Sequence, residues 1–194
     1  MAMQQQIGID EPDSGILLDC MSVADGGVLR AAGLLLPRVE AEFAFRLGTD
    51  LCGSGVTVED VRAAVAEVCL ALEVIDSRFD LQGITLADSV ADNAACARFV
   101  LGNGVPLPGW SLGDERLTLC VGASEVAAGD GRAVLGDPFR SVAWLARRLH
   151  GLGTGLKSGD LVLAGAVHAS IPLPLGAAVS VSSPRLPPAS LQVA

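Results

Sequence analysis

"PRVEAEFAFRLG", residues 37–48, alternates without a break. Val39, Ala41, Phe43, Phe45 and Leu47 fall on one parity, and Glu40, Glu42, Ala44 and Arg46 fall on the other. A period of two belongs to a β-strand, so one face is expected to pack into a core while the other presents two adjacent carboxylates. Like charges close together on one face repel, and each raises the other's pKa unless something positive sits between them. A divalent metal would supply that charge. The competing expectation is a solvated strand face, with Arg46 or a neighbouring strand's cation offsetting the acids.

A third carboxylate favours the metal. Thr57 is a good N-cap for "TVEDVRAAVAEVCLAL", where Val58, Val61, Val65, Val68 and Leu72 recur at helical spacing. The spacing predicts a helix over residues 58–72 that runs into "LEVIDSR", an extended apolar segment carrying Glu73. An unpaired acid is costly in such surroundings. Three carboxylates with positions left for water form the hard-oxygen set that Mg²⁺ or Mn²⁺ takes. Pairing of Glu73 with Arg78 or Arg98 is the alternative.

Elsewhere, "GIDEPDSGILLDCMSV" reads as turn chemistry followed by a short apolar strand. "WSLGDERLTLCVGASEVAAGDGRAVLGD" reads as two or three strands joined by turns. Asp137 caps a strong helix, "DPFRSVAWLARRLHGLG", with Pro138 at its first position. "GDLVLAGAV", "AAVSVSS" and "ASLQVA" complete the strands. Strands outnumber helices in irregular order, which predicts α+β. "GLGTGLKSGD" lacks the Gly before Lys157 that a phosphate loop needs, and it follows a helix, so it is a helix stop and a turn. His150 reads as a cap, His168 stands alone, and a Ser-His-Asp site is not expected.

Composition narrows the function classes. The chain has 194 residues, is 51% hydrophobic and carries a formal net charge of −9. A mean hydropathy of +0.50 excludes disorder, and no apolar run is long enough to span a membrane. Thirteen scattered Lys and Arg against twenty-two acids argue against nucleic acid and anionic membrane as partners. With no Tyr, there is little platform for stacking bases. Five cysteines without a C-x-x-C pair read as buried thiols in a reducing compartment, and no signal peptide is visible, so a cytoplasmic location is expected.

Five segments together carry a resemblance: "PRVEAEFAF", "GVTVEDVRAAVAEVCLALEVIDSR", "DSVADNAACARFVLG", "AVLGDPFRSVAWLARRL" and "LKSGDLVLAGAV". In order, they resemble 2-oxopent-4-enoate (vinylpyruvate) hydratase and 4-oxalocrotonate decarboxylase, of the fumarylacetoacetate hydrolase superfamily. The resemblance implies a mixed β-roll with a few flanking helices, residues 1–194 forming one catalytic-type domain. It implies Glu40, Glu42 and Glu73 as ligands of Mg²⁺ or Mn²⁺, with Asp13 lining the substrate site and Asp92 and Asn93 near it. The implied reaction is hydration of 2-hydroxypenta-2,4-dienoate-type acids to 4-hydroxy-2-oxo acids, by a homo-oligomer. A 2-keto acid decarboxylase is the alternative enzyme. A degenerate homologue serving as a structural or oligomer partner is the alternative without turnover. Relatives carry an upstream Gly-x-Lys segment serving the active site, so this chain is expected to be shortened and its turnover weakened. Ala95 and Ala164 stand where relatives often have a hydroxyl.

Overall fold

The computed structural model describes residues 12–80 and 83–194. In chain order its strands and helices are β1 (Ser22–Val23), β2 (Gly27–Leu29), β3 (Arg38–Leu47), α1 (Val58–Ala64), β4 (Val65–Ile75), α2 (Leu86–Ala91), β5 (Cys96–Leu101), β6 (Val105–Pro106), β7 (Arg116–Val121), β8 (Ser124–Asp130), α3 (Pro138–Gly151), β9 (Leu161–Ala166), β10 (Ile171–Pro172), β11 (Ala178–Ser182) and β12 (Ala189–Val193). This is an α+β architecture built on two sheets. The larger runs β1-β5-β4-β3-β10, with β6 on β4 and β9 on β3; the smaller runs β2-β12-β11-β7-β8.

The β3–β4 ladder organises the molecule. It is antiparallel, pairing Arg38 with Ile75 and Leu47 with Val65 at its two ends. On one face Val39, Phe43 and Phe45 of β3 join Val68, Leu70 and Leu72 of β4 in the main core. The smaller sheet contributes Leu117, Leu119, Val179, Val181 and Leu191 to the same core. Helix α3 seals one end. Its Phe139 ring lies 4.9 Å from that of Phe45, and Val142, Ala143 and Ala146 are buried beside it.

Two helix starts follow from capping chemistry. Thr57 and Asp60 form a reciprocal capping box at α1, and Thr85 and Asp88 form another at α2. Asp137 caps α3 by accepting from the Phe139 amide, with Pro138 in the first turn as its fixed φ allows.

Three expectations are corrected. The helix predicted to reach residue 72 ends at Ala64, and Val65–Ile75 is strand β4. "VAEVCLALEVI" fits either period, and ten cross-strand partners on β3 outweigh two or three further helical turns. The apolar stretch before residue 22 is not a strand. Ile16 and Leu18 are exposed, a 3₁₀ turn spans Asp19–Met21, and only Ser22–Val23 pairs, with β5. The turn expected over residues 8–11 lies outside the described residues. Finally, of the five free cysteines only Cys69 and Cys96 are buried; Cys20 and Cys52 are exposed.

Candidate metal centre

The second face of β3 is not solvated. Glu40 is 3% and Glu42 1% exposed, so both faces of this strand are covered. Register places the third acid: Glu40 stands directly opposite Glu73 on β4, and Glu42 lies two residues further along the same face. One carboxylate oxygen from each of Glu40, Glu42 and Glu73 lies within 4.8 Å of the others. Below them Ala44, Cys69 and Ala71, with Leu101, Leu161 and Leu163 against them, make an apolar floor.

None of the expected cations neutralises this cluster. Arg46 pairs with Glu67 on the half-exposed end of the ladder. Arg78 is taken by Asp92, and Arg98 donates to the Ala97 carbonyl. Arg38 bears on Glu40 only at a distance, its guanidinium being held by Ser170. Burial, followed by repulsion from Glu73, raises the Glu40 pKa well above the ordinary carboxylate range. Glu42 is raised in the same way by burial, Glu73 and Glu40, against the opposing effect of a backbone hydrogen bond. Burial also raises Glu73, which hydrogen bonds accepted from the Cys96 thiol and from the Glu42 carboxyl partly offset.

The donor set fits a hard divalent cation. Glu40 Oε1 is buried with no hydrogen-bond partner among the described residues. Such an oxygen is costly to leave bare and is relieved by a cation coordinating it. Two backbone devices keep the acids in place. The Gly165 amide donates to Glu42 Oε2 at 2.7 Å, from a residue whose φ of +101° suits glycine. Where β9 leaves β3, the buried His168 takes over: its Nε2 accepts from the Ala41 amide, between the two glutamates, at 3.3 Å. Its Nδ1 donates to the Ala169 carbonyl at 2.9 Å, and burial lowers its pKa, so the imidazole is neutral.

The other expected site residues fall into two groups. Asp13 stands close enough to Glu40 and Glu73 to raise both their pKa values, and it accepts a hydrogen bond from Ser89. Asp92 is buried and fully engaged, accepting from the Ser77 hydroxyl at 3.1 Å, the Arg78 amide at 3.0 Å and the Arg78 guanidinium. The Asn93 side chain grips the backbone of Ile16, accepting from its amide at 2.7 Å and donating to its carbonyl at 2.9 Å. Ala95 lies in the same turn, its carbonyl accepting from the Asp76 amide, and Ala164 packs in the main core. Sequence reading missed Ser89, Cys96, Gly165 and the role of His168; only the glycine at an alternating strand position carried a signal.

A pH dependence follows. The three glutamates ionise near 4.5 in the unfolded chain and higher in the fold. Their contribution to metal-free stability is therefore full below that value and is lost as pH rises through the folded pKa values. A cation needs them ionised. The rise in melting temperature caused by Mn²⁺ is expected to be several-fold larger at pH 8 than at pH 5.5, read as the difference with and without metal so that His168 cancels. An equal rise at both values would contradict the assignment.

No protein-family model matches the chain. It is 42% identical over 167 residues to 2-keto-4-pentenoate hydratase of Burkholderia vietnamiensis, covering 86% of this chain and 64% of that protein. It is 39% identical over 187 residues to 2-keto-4-pentenoate hydratase 1 of Dechloromonas aromatica, covering 94% and 70%. Among solved structures, 4-oxalocrotonate decarboxylase from Pseudomonas putida G7, complexed with magnesium and adipate, superposes with a TM-score of 0.92 at 33% identity, covering 98% of this chain and 73% of that one. The chain thus spans 64% to 70% of the length of these two curated relatives.

Proposed function

Because the chain belongs to the 2-keto-4-pentenoate hydratase family, within the fumarylacetoacetate hydrolase superfamily, we propose that it is a divalent-metal-dependent hydratase of aromatic catabolism. Its substrates are 2-hydroxypenta-2,4-dienoate-type acids, converted to 4-hydroxy-2-oxo acids. The observation that carries this reading is the buried triad, with a Glu40 oxygen that has no partner among the described residues.

Glu40, Glu42 and Glu73 would hold Mg²⁺ or Mn²⁺. When bound, the cation supplies Lewis acidity toward a 2-oxo acid and offsets negative charge developing on its oxygen. The chain's own groups do the rest. The apolar floor of Ala44, Cys69 and Ala71 limits water around the site, which strengthens every charge interaction there. Ketonisation of the dienol leaves a carbon–carbon double bond conjugated with the new carbonyl. Water adds to that bond, oxygen at C4 and hydrogen at C3. Asp13 is the carboxylate left over from metal binding, and it orients that water and takes its proton.

Consumption of 2-hydroxypenta-2,4-dienoate, followed by its ultraviolet absorbance in Mg²⁺ or Mn²⁺, tests the reading. Metal-dependent loss of absorbance with 4-hydroxy-2-oxopentanoate as product is expected. Release of CO₂ from 4-oxalocrotonate without hydration of the dienoate would replace the hydratase by the decarboxylase. The higher identity to hydratases than to the decarboxylase favours hydration. No turnover of either, with metal bound, would leave the degenerate homologue.

A further inference from the structure

Asp13 lies in an irregular segment and stands near two other acids, Glu40 and Glu73. Left unrestrained, a carboxylate there would swing away from its like-charged neighbours toward water. Apolar packing gives the described part of the segment little hold, since Ile16 is 69% and Leu18 48% exposed and only Leu17 between them is partly buried. Polar side chains from one neighbouring structure hold it instead.

That structure is α2 with the turn that follows it. Ser89, buried in the middle of α2, donates its hydroxyl to Asp13 Oδ2. Three residues after Asp13, both backbone groups of Ile16 are bonded by the Asn93 side chain. Between these two points the chain lies flush on the turn, because a Cβ on Gly15 would fall 2.5 Å from the Asn93 carbonyl oxygen. The turn is itself unusual, with Asn93, Ala94 and Ala95 all left-handed at φ of 58°, 54° and 60°. Residues with a Cβ avoid this conformation, and the anchoring of Asp92 by Arg78 helps to hold it.

We propose that Ser89 is the positioning residue for Asp13, fixing its carboxylate against repulsion from the metal-binding glutamates, with Asn93 as the second point of the clamp. The proposal rests on the reading of Asp13 as the group that orients water. It separates Ser89 and Asn93, which act through another residue, from groups that touch substrate.

A double-mutant cycle with Ser89→Ala and Asp13→Asn tests it. A misplaced catalytic group typically costs up to about 10²-fold in rate. In the wild-type background Ser89→Ala is expected to lower kcat by about 10- to 100-fold, with KM and the Mn²⁺-induced rise in melting temperature unchanged. In the Asp13→Asn background it should cause no further loss. Hydrogen exchange, which needs no turnover, should show faster exchange of the amides of residues 14–16 in Ser89→Ala. Equal loss of kcat in both backgrounds, or unchanged exchange at residues 14–16, overturns the proposal. If the wild-type chain hydrates no 2-hydroxydienoate, the functional reading fails by itself and the exchange measurement alone decides the clamp.

Discussion

Glu42→Gln is expected to erase the thermal stabilisation by Mg²⁺ or Mn²⁺ and to lower dienoate hydration by about 10³-fold or more, the upper range for losing one electrostatic stabiliser. The substitution keeps the shape of the side chain and an oxygen for the Gly165 amide, which now bonds Glu42 Oε2. What it removes is a charge buried at 1% exposure beside two others. The metal-free protein should consequently melt higher than wild type at pH 8, because a repelling group has gone. This combination distinguishes a metal centre from a structural acid cluster, in which losing a member costs stability with and without metal. Thermal melts with and without Mn²⁺, alongside the absorbance assay, provide the check. Undiminished metal stabilisation after all three glutamates are replaced by glutamine would refute the site.

The second large effect is on stability. Asp92→Ala should destabilise the fold by about 2–3 kcal/mol, the loss of charge-assisted hydrogen bonds at a buried acid. The figure is held down because Arg78 is half-exposed and can return to water. Urea unfolding should show a lower midpoint at unchanged slope, while Mn²⁺ still stabilises the variant. A variant that unfolds like wild type yet loses turnover would return Asp92 to the reacting groups.

Much of the site was legible because it is written in a period of two. The alternation of residues 39–47 fixes which side chains share a face, and Glu73 betrayed itself as an acid in an apolar run. The fold was less legible where two periods overlap. Val58, Val61 and Val65 satisfy a helix, while Val68, Leu70 and Leu72 satisfy a strand; only the presence of β3 decides that the chain turns extended at Val65. Burial of the carboxylate face was also hidden, since its cover comes from residues far away in sequence. Gly165 is 123 residues from Glu42, and His168 is 127 from Ala41. The same holds for Ser89 and Asp13, 76 residues apart. Contacts of that span follow from tertiary packing and leave no local pattern to read.

The pairing of Glu40 with Glu73 also bears on which insertions and deletions this lineage can survive. Ligands drawn from two facing strands stay together only while the strands keep their frame. Residues added to the connection between β3 and β4, around positions 48–57, leave the ladder untouched. A single residue gained or lost within positions 41–47 or 65–72 shifts one strand by one place and turns its acid toward the Phe43 side. That event would strip the cation site and drive a charge into the core at once. Length variation among descendants should therefore collect in the connection and spare the ladder.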